Sequence, residues 1–151
     1  MWDRLRKQVA VERQQLRRLL ETYRPLLDKC AVNPPDGIEL SALAAMLHSF
    51  YNGVENMFKR IAEELDGQLP RSEFWHRELL DSMNRPGKAR SAVISETLVE
   101  SLDAYLDFRH LFRHSYTFEL RWDRMKTLVL GCDEILRQLE TELDSFLRRA
   151  G

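Results

Sequence analysis

The sequence lacks a long apolar run, and none of its segments approaches the roughly 20 residues that a transmembrane helix needs. Its first segment, MWDRLRKQVAVERQQ, is too polar for a secretory signal peptide. The two cysteines, Cys30 and Cys132, are far apart and do not have metal-site spacing. These absences argue against a membrane, secreted or disulfide-rich protein. We therefore expect a cytoplasmic chain in a reducing setting.

An excess of charge of either sign is also missing, since the formal net charge is −1. The chain as a whole therefore gives no indication of nucleic-acid binding. Residues 109–126 differ, because five Arg or Lys residues stand there against two acidic ones, a local charge of +3, with four aromatic residues among them. Such a segment is typical of a surface that meets a phosphate backbone. The alternative is a solvated helix face that is basic without having a ligand.

Helical periodicity runs through the 151 residues, of which 44% are apolar and 31% charged. Turn-forming segments at 30–37, 66–71 and 84–91 separate the helical patterns. The clearest pattern has apolar residues three or four apart from Leu40 to Leu65, followed by Gly67 in the post-helix position. No segment indicates a strand. We predict one all-α domain over 1–151, an antiparallel bundle of four longer helices and a short fifth one.

Three residues mark predicted helix boundaries. Pro25 should kink or end the first helix, because proline lacks the amide donor that a helix interior uses. Ser72 is predicted to cap the short helix, and Ser95 is predicted to cap the fourth long one, since serine side chains accept hydrogen bonds from the first free amides of a helix.

The fourth long helix has a charged residue where its apolar stripe should continue. The stripe follows helical spacing through Leu98, Leu102, Tyr105, Phe112 and Tyr116. The position between its third and fourth members is Arg109. An unpaired buried guanidinium is costly. Arg109 should therefore reach solvent with its tip, pair with a carboxylate, or border a wet cleft.

A second face of the same helix is polar, with Asp103, Asp107, His110 and His114 again three or four residues apart. Its last three members have the chemistry to hold zinc or iron in a metal-binding helical bundle. In another interpretation, His114 moves a proton during chemistry on a phosphodiester while Arg109 binds the phosphate. A third is a solvated face whose histidines have no chemical task.

In an ideal helix, Arg109 and His114 would point in different directions, which is a difficulty for chemistry on a phosphodiester. Arg109 and His114 are five residues apart, which corresponds to about 140° around the axis. They converge only if the helix loosens near its end or if a second copy of the chain contributes. The first option is predicted by the weak helix formers at positions 115–118.

Arg109, His114 and Tyr116 form the pattern R-x4-H-x-Y within FRHLFRHSY, residues 108–116. This pattern resembles the motif of HEPN-superfamily ribonucleases, and in particular that of HepT-like toxins. The segments HSFYNGVENMFKRIAEELDG (48–67) and FWHRELLDSM (74–83), and the order of the helices, are similar to the same branch. The resemblance extends over nearly the whole chain.

The resemblance implies a homodimeric, metal-independent endoribonuclease that is the toxin of a type II-like toxin–antitoxin system and uses no cofactor. By position, Arg109 would contact the scissile phosphate of the RNA and His114 would be the general acid/base. Tyr116 would be the tyrosine to which a minimal nucleotidyltransferase antitoxin transfers AMP from ATP. The resemblance assigns no role to Asp107, His110 and Arg113, which are kept as candidates for contacting RNA or supporting the site.

Two other functions stay open from the sequence. A HEPN-like chain can be a non-catalytic, substrate-binding or interaction partner of a nucleotidyltransferase. The set of Asp107, His110 and His114 can also belong to a metal-binding bundle. For Tyr116, the alternative to modification is a core residue that closes the apolar stripe. On an ideal helix it would lie only about 20° from Arg109.

Overall fold

The structure is a computed structural model that describes residues 2–149, apart from the side chain of Thr117. Its long helices are α1 (Trp2–Thr22), α3 (Gly37–Ile61), α5 (Glu96–Arg113) and α6 (Trp122–Arg149), and its short ones are α2 (Arg24–Cys30) and α4 (Trp75–Ser82). A π-helical turn (Ala62–Asp66) continues α3, and a 3-10 turn (Thr117–Glu119) lies between α5 and α6. The described residues contain no strand, which confirms the predicted all-α class. No helix among them is long and apolar enough to cross a membrane.

The break after α1 occurs at the predicted proline. α1 ends at Thr22 and α2 begins at Arg24, so that Pro25 stands in the first turn of α2, where no amide donor is required. The sequence predicted a kink or an end at this position. It did not predict a second short helix, which brings the number of short helices among the described residues to two.

Both ends of α3 follow from local chemistry. The Asp36 carboxylate accepts a hydrogen bond of 2.8 Å from the Glu39 amide, and the Glu39 carboxylate accepts one of 3.0 Å from the Asp36 amide. This reciprocal capping box satisfies amides that the first helical turn leaves free. After the π-helical turn, Gly67 has a φ of 78°, a left-handed conformation that favours glycine, which confirms its predicted post-helix position.

The two predicted serine caps have different outcomes. Ser95 caps α5, since its side chain accepts a hydrogen bond of 3.2 Å from the Leu98 amide. The prediction for Ser72 is wrong, because α4 begins only at Trp75. The Ser72 hydroxyl accepts instead from the amide of Phe74, two residues on, and donates to Glu78. It therefore stabilises the turn before the helix.

α3 lies at the centre of the bundle, in contact with α1, α4, α5 and α6, and apolar side chains from all six helices join one core. Neighbouring long helices run antiparallel. As the chain proceeds along α1 from Arg6 to Arg17, its partners on α6 recede from Leu147 to Glu140. The same reversal holds for α1 with α3, α3 with α5 and α5 with α6.

Candidate active site

Arg109 lies near the end of α5, on the side of that helix that packs against α3. Its side chain is half-buried, and its Nε donates a hydrogen bond of 2.8 Å to Oδ1 of Asn52 on α3. Within residues 2–149 no carboxylate pairs with the guanidinium, and its two terminal nitrogens donate no hydrogen bond. A neutral amide thus orients the side chain without neutralising it. The free end of the guanidinium has the geometry to bind an anion in a bidentate manner.

His48 stands one helical turn before Asn52 on α3 and also faces the end of α5. Its ring lies 5.5 Å from that of Phe112 on α5, centroid to centroid. Its Nδ1 is buried and has no hydrogen-bond partner among the described residues. Desolvation lowers the pKa of His48, and the positive charges of Arg109 and Arg113 lower it further. His48 is therefore a neutral imidazole beside two cations.

Neither His48 nor Asn52 is among the residues predicted from the sequence. The available signal was their spacing, since two polar residues four apart adjoin the apolar stripe of α3. Such a pair is common on solvated helix faces. The pair indicates a functional site only once α5 is known to pack against α3, because that packing brings Arg109 to the Asn52 amide.

α5 ends at Arg113, and His114 is its C-cap residue. His114 has φ −115° and ψ 8°, and its amide reaches the Leu111 carbonyl at 3.1 Å, which closes the last turn. The side chain is exposed, with its ring 4.6 Å from that of His110. The predicted loosening of the helix near residue 115 is confirmed. The contact between the two rings nevertheless keeps His114 over His110, one helical turn earlier, so His114 stays on the face of α5 that carries His110.

Tyr116 lies beyond the end of α5, in the connection to α6. The expectation that it continues the apolar stripe of the helix is wrong, because α5 has already ended. The alternative of a core residue is wrong as well, since 71% of Tyr116 is exposed. Its ring stacks on that of Phe118, with the centroids 5.3 Å apart and the planes 9° from parallel.

Arg77 on α4 engages the acidic part of the polar face of α5. Its guanidinium binds the carboxylates of Asp103 and Asp107, the latter at 2.9 Å. These ion pairs join α4 to α5. Among the described residues no group of three or more His, Cys, Asp or Glu side chains is placed to hold a metal ion. The predicted set of Asp107, His110 and His114 is thus not assembled as a ligand cluster.

A buried polar pair, Glu55 and His76, joins α3 to α4. Glu55 is 3% exposed, and its Oε2 lies 2.7 Å from Nδ1 of His76 on α4. The hydroxyl of Tyr51, one turn before Glu55, is buried and has no partner among the described residues. Burial raises the pKa of Tyr51 and Glu55 adds to this effect, whereas Arg77 and Arg109 oppose it. Tyr51 therefore stays protonated.

The surface around the end of α5 carries the basic segment 109–126. Arg121 pairs with Asp123 at 3.0 Å, whereas Arg113, Arg124 and Lys126 form no ion pair within the described residues. A groove of about 500 Å³ lies between the end of α5 and the start of α6. Its lining includes Phe108, Leu111, Leu120, Arg121, Arg124 and Met125. The groove is thus lined by apolar side chains together with two arginines and the carboxylates of Asp107 and Glu119.

The chain matches a family model described as "HepT-like protein" over residues 42–150. The match begins within α3 and includes Asn52, Arg109, His114 and Tyr116, while α1 and α2 lie outside it. No curated protein and no solved structure matches the chain.

The neutral state of His48 predicts a pH dependence of folding stability. Its folded-state pKa is lowered, so the unfolded chain binds a proton at a higher pH than the folded one. The contribution of His48 is therefore lost as pH falls below its unfolded pKa of about 6.5. In chemical unfolding between about pH 8 and pH 5.5, His48→Gln should lose less stability than the unmodified protein.

Titration of the His48 ring by NMR measures the same effect directly. We expect its pKa to lie below that of a free histidine, and Arg109→Gln should raise it because one neighbouring positive charge is removed. A His48 ring that titrates at or above the usual value would contradict this description of the site.

Proposed function

Because the chain belongs to the HepT-like family, we propose that it is a metal-independent endoribonuclease, the toxin of a type II-like toxin–antitoxin pair. The family is generally associated with ribonuclease activity and generally paired with a nucleotidyltransferase antitoxin. The observation that carries the proposal is Arg109. A half-buried guanidinium that is oriented by Asn52 and paired with no carboxylate among the described residues suits an anionic substrate better than a structural role.

The proposed reaction is a transfer of the RNA phosphodiester to the neighbouring 2′-hydroxyl. The 2′-oxygen gives its proton to an imidazole and attacks phosphorus. The bond from phosphorus to the 5′-oxygen breaks, and that oxygen takes a proton from an imidazolium. A 2′,3′-cyclic phosphate and a 5′-hydroxyl result. His114 carries the proton transfer, and the free end of Arg109 binds the oxygens on which negative charge increases.

The neighbours of these two residues have supporting roles in this proposal. Asn52 positions Arg109 through the bond to Nε and leaves the terminal nitrogens to the phosphate. Arg113 and His110, both exposed near the end of α5, are candidates for contacts with the RNA. Asp107 is bound to Arg77, so its role is to hold α4 against the helix that carries the site.

We also propose that the active form is a homodimer in which the ends of the two α5 helices face each other. Leu111, an exposed leucine in the last turn of α5, is an apolar residue that a partner surface would cover. A two-fold arrangement brings two copies of His114 to one cleft. One copy is then available as the base and the other as the acid.

Control of the activity is proposed to act through Tyr116. Of the four tyrosines, Tyr51 and Tyr105 are buried and Tyr23 is half-buried, whereas Tyr116 is largely exposed. In the proposed transfer of AMP, a nucleotidyltransferase joins the α-phosphorus of ATP to the Tyr116 oxygen, and pyrophosphate leaves. The product carries a negative phosphodiester two residues from His114. That charge would compete with the RNA for the nearby arginines, and its bulk would obstruct the cleft.

The dimer is tested by light scattering at micromolar protein concentration, for which we expect twice the mass of the chain. Leu111→Glu should weaken association, because it places a charge within the proposed apolar contact. Leu130→Glu is the matched control, since Leu130 is an exposed leucine on α6 and does not belong to the end of α5. A monomer in the unmodified protein would contradict the proposed assembly.

Cleavage is tested with purified protein and labelled RNA. His114→Ala should lower the cleavage rate roughly 10²–10⁴-fold, since a positioned acid/base contributes that much. Arg109→Ala should lower it by roughly 10²–10³-fold through lost stabilisation of charge. Asn52→Ala should have a smaller effect in the same direction, and a metal chelator should have none.

Arg137→Ala is the control for these variants. It removes an exposed arginine on α6 that has no role in the proposed reaction. It should keep most of the activity. If intact RNA remains with the unmodified protein, the chain is instead a non-catalytic partner of a nucleotidyltransferase. If activity is lost with chelator and restored by zinc, the metal-binding alternative applies.

Modification is tested by co-expression with the partner nucleotidyltransferase, followed by intact-mass and peptide mass spectrometry. We expect one or more AMP units on Tyr116 and a loss of cleavage. Tyr116→Phe should escape this silencing, whereas Tyr23→Phe should be modified and silenced like the unmodified protein. An unmodified Tyr116 in a fully neutralised complex would show that the partner inhibits by binding alone.

A further inference from the structure

Two aromatic rings stand in solvent immediately after the candidate active site. Tyr116 is 71% exposed and Phe118 is 81% exposed, yet their rings stack with the planes only 9° apart. Side chains of this size usually bury most of their surface. Here each ring covers part of one face of the other, and the remaining aromatic surface of the pair is free.

The backbone between the two rings is closed into a turn. The Glu119 amide donates a hydrogen bond of 2.9 Å to the Tyr116 carbonyl across the 3-10 turn, and the Tyr116 amide points to the Glu119 carboxylate at 3.4 Å. This closure sets the spacing of the two aromatic residues. The pair is therefore a preformed flat surface, which reduces the conformational entropy that a flat ligand would have to offset on binding.

The charges around the pair select the kind of ligand. Arg113 precedes it, and Arg121 and Arg124 line the groove beside it. Two carboxylates line the same groove, Glu119 of the turn itself and Asp107, which is bound to Arg77. Arg121 is paired with Asp123, whereas Arg113 and Arg124 have no carboxylate partner among the described residues. A ligand with flat rings and negative charges suits this surface, and an apolar protein segment would leave the arginines without partners.

We propose that Tyr116 and Phe118 form a stacking platform for unpaired RNA bases beside the cleaved phosphodiester. The proposal rests on the ribonuclease function proposed above. Bases in a duplex have their faces covered by neighbours, whereas unpaired bases are free to stack on aromatic side chains while arginines contact the phosphates. His114 and Tyr116 are two positions apart in the sequence, so their Cα atoms lie no more than about 7 Å from each other. The platform and the acid/base group therefore serve neighbouring nucleotides.

The experiment measures RNA affinity without cleavage. The full chain carrying His114→Ala is titrated, at one salt concentration, into a fluorescent single-stranded RNA and into the same strand annealed to its complement. Adding Phe118→Ala should weaken binding of the single strand roughly 5- to 150-fold. The duplex should bind the His114→Ala chain more weakly than the single strand does. Its affinity should change little when Phe118→Ala is added.

Three further variants separate stacking from other effects. Phe118→Trp should keep the affinity for the single strand, because it retains an aromatic face. Phe118→Leu should lose as much affinity as Phe118→Ala, because it is apolar but cannot stack. Phe74→Ala removes an aromatic residue that is also exposed but lies before α4, and it should leave the affinity unchanged.

The outcomes distinguish the platform from the ribonuclease function. Unchanged single-strand affinity in Phe118→Ala, or full affinity in Phe118→Leu, overturns the platform even if the unmodified protein cleaves RNA. If Phe118→Ala disrupts the dimer in light scattering but leaves RNA affinity unchanged, the aromatic pair is a protein contact and the platform is overturned. If binding depends on the ring at 118 while the unmodified protein does not cleave RNA, the platform is supported and the ribonuclease function fails.

Discussion

The central position of α3 imposes the constraint on which the candidate site depends. α3 contacts all the other long helices, so a polar side chain on it must find a partner or remain uncharged. Three of its residues show the different solutions. Asn52 accepts a hydrogen bond from Arg109, Glu55 pairs with His76, and His48 is kept neutral by burial and by two neighbouring arginines. Each solution brings a polar group of α3 to the end of α5 or to α4.

The bond between Asn52 and Arg109 shows why a neutral partner matters. A carboxylate in place of the Asn52 amide would hold the guanidinium at least as firmly, but it would also cancel the charge that a phosphate needs. The acidic residues of α5 are bound elsewhere, since Asp103 and Asp107 both pair with Arg77 of α4. The structure thus separates its carboxylates from Arg109, and a protein with a net charge of −1 still presents a cationic surface at one end of a helix.

The end of α5 is also the place where packing gives way to exposed side chains. Up to Phe108 the inward face of the helix is buried, and from Arg113 onward the side chains of Arg113, His114, Tyr116 and Phe118 are exposed. The change occurs where the sequence contains weak helix formers. A helix that continued through this segment would carry His114 and Tyr116 on opposite sides of its axis. Because α5 ends at Arg113, this restriction does not apply to Tyr116, which lies in the short irregular connection.

Much of this description follows from the sequence alone. Apolar spacing, Gly67 and Ser95 determined the helical class and several helix boundaries, because these features act through local backbone chemistry. The interruption of the apolar stripe at Arg109 and the loosening after Arg113 were likewise visible, since both depend on residues within one or two turns. Only the tertiary structure decided the partner of Arg109, the pairing of Asp107 with Arg77, the burial of the His48 Nδ1 atom and the exposure of Tyr116. Each of these depends on contacts between helices or on where a helix gives way to a loop. The spacing of residues along one helix carries no information about which side chain of another helix will face it.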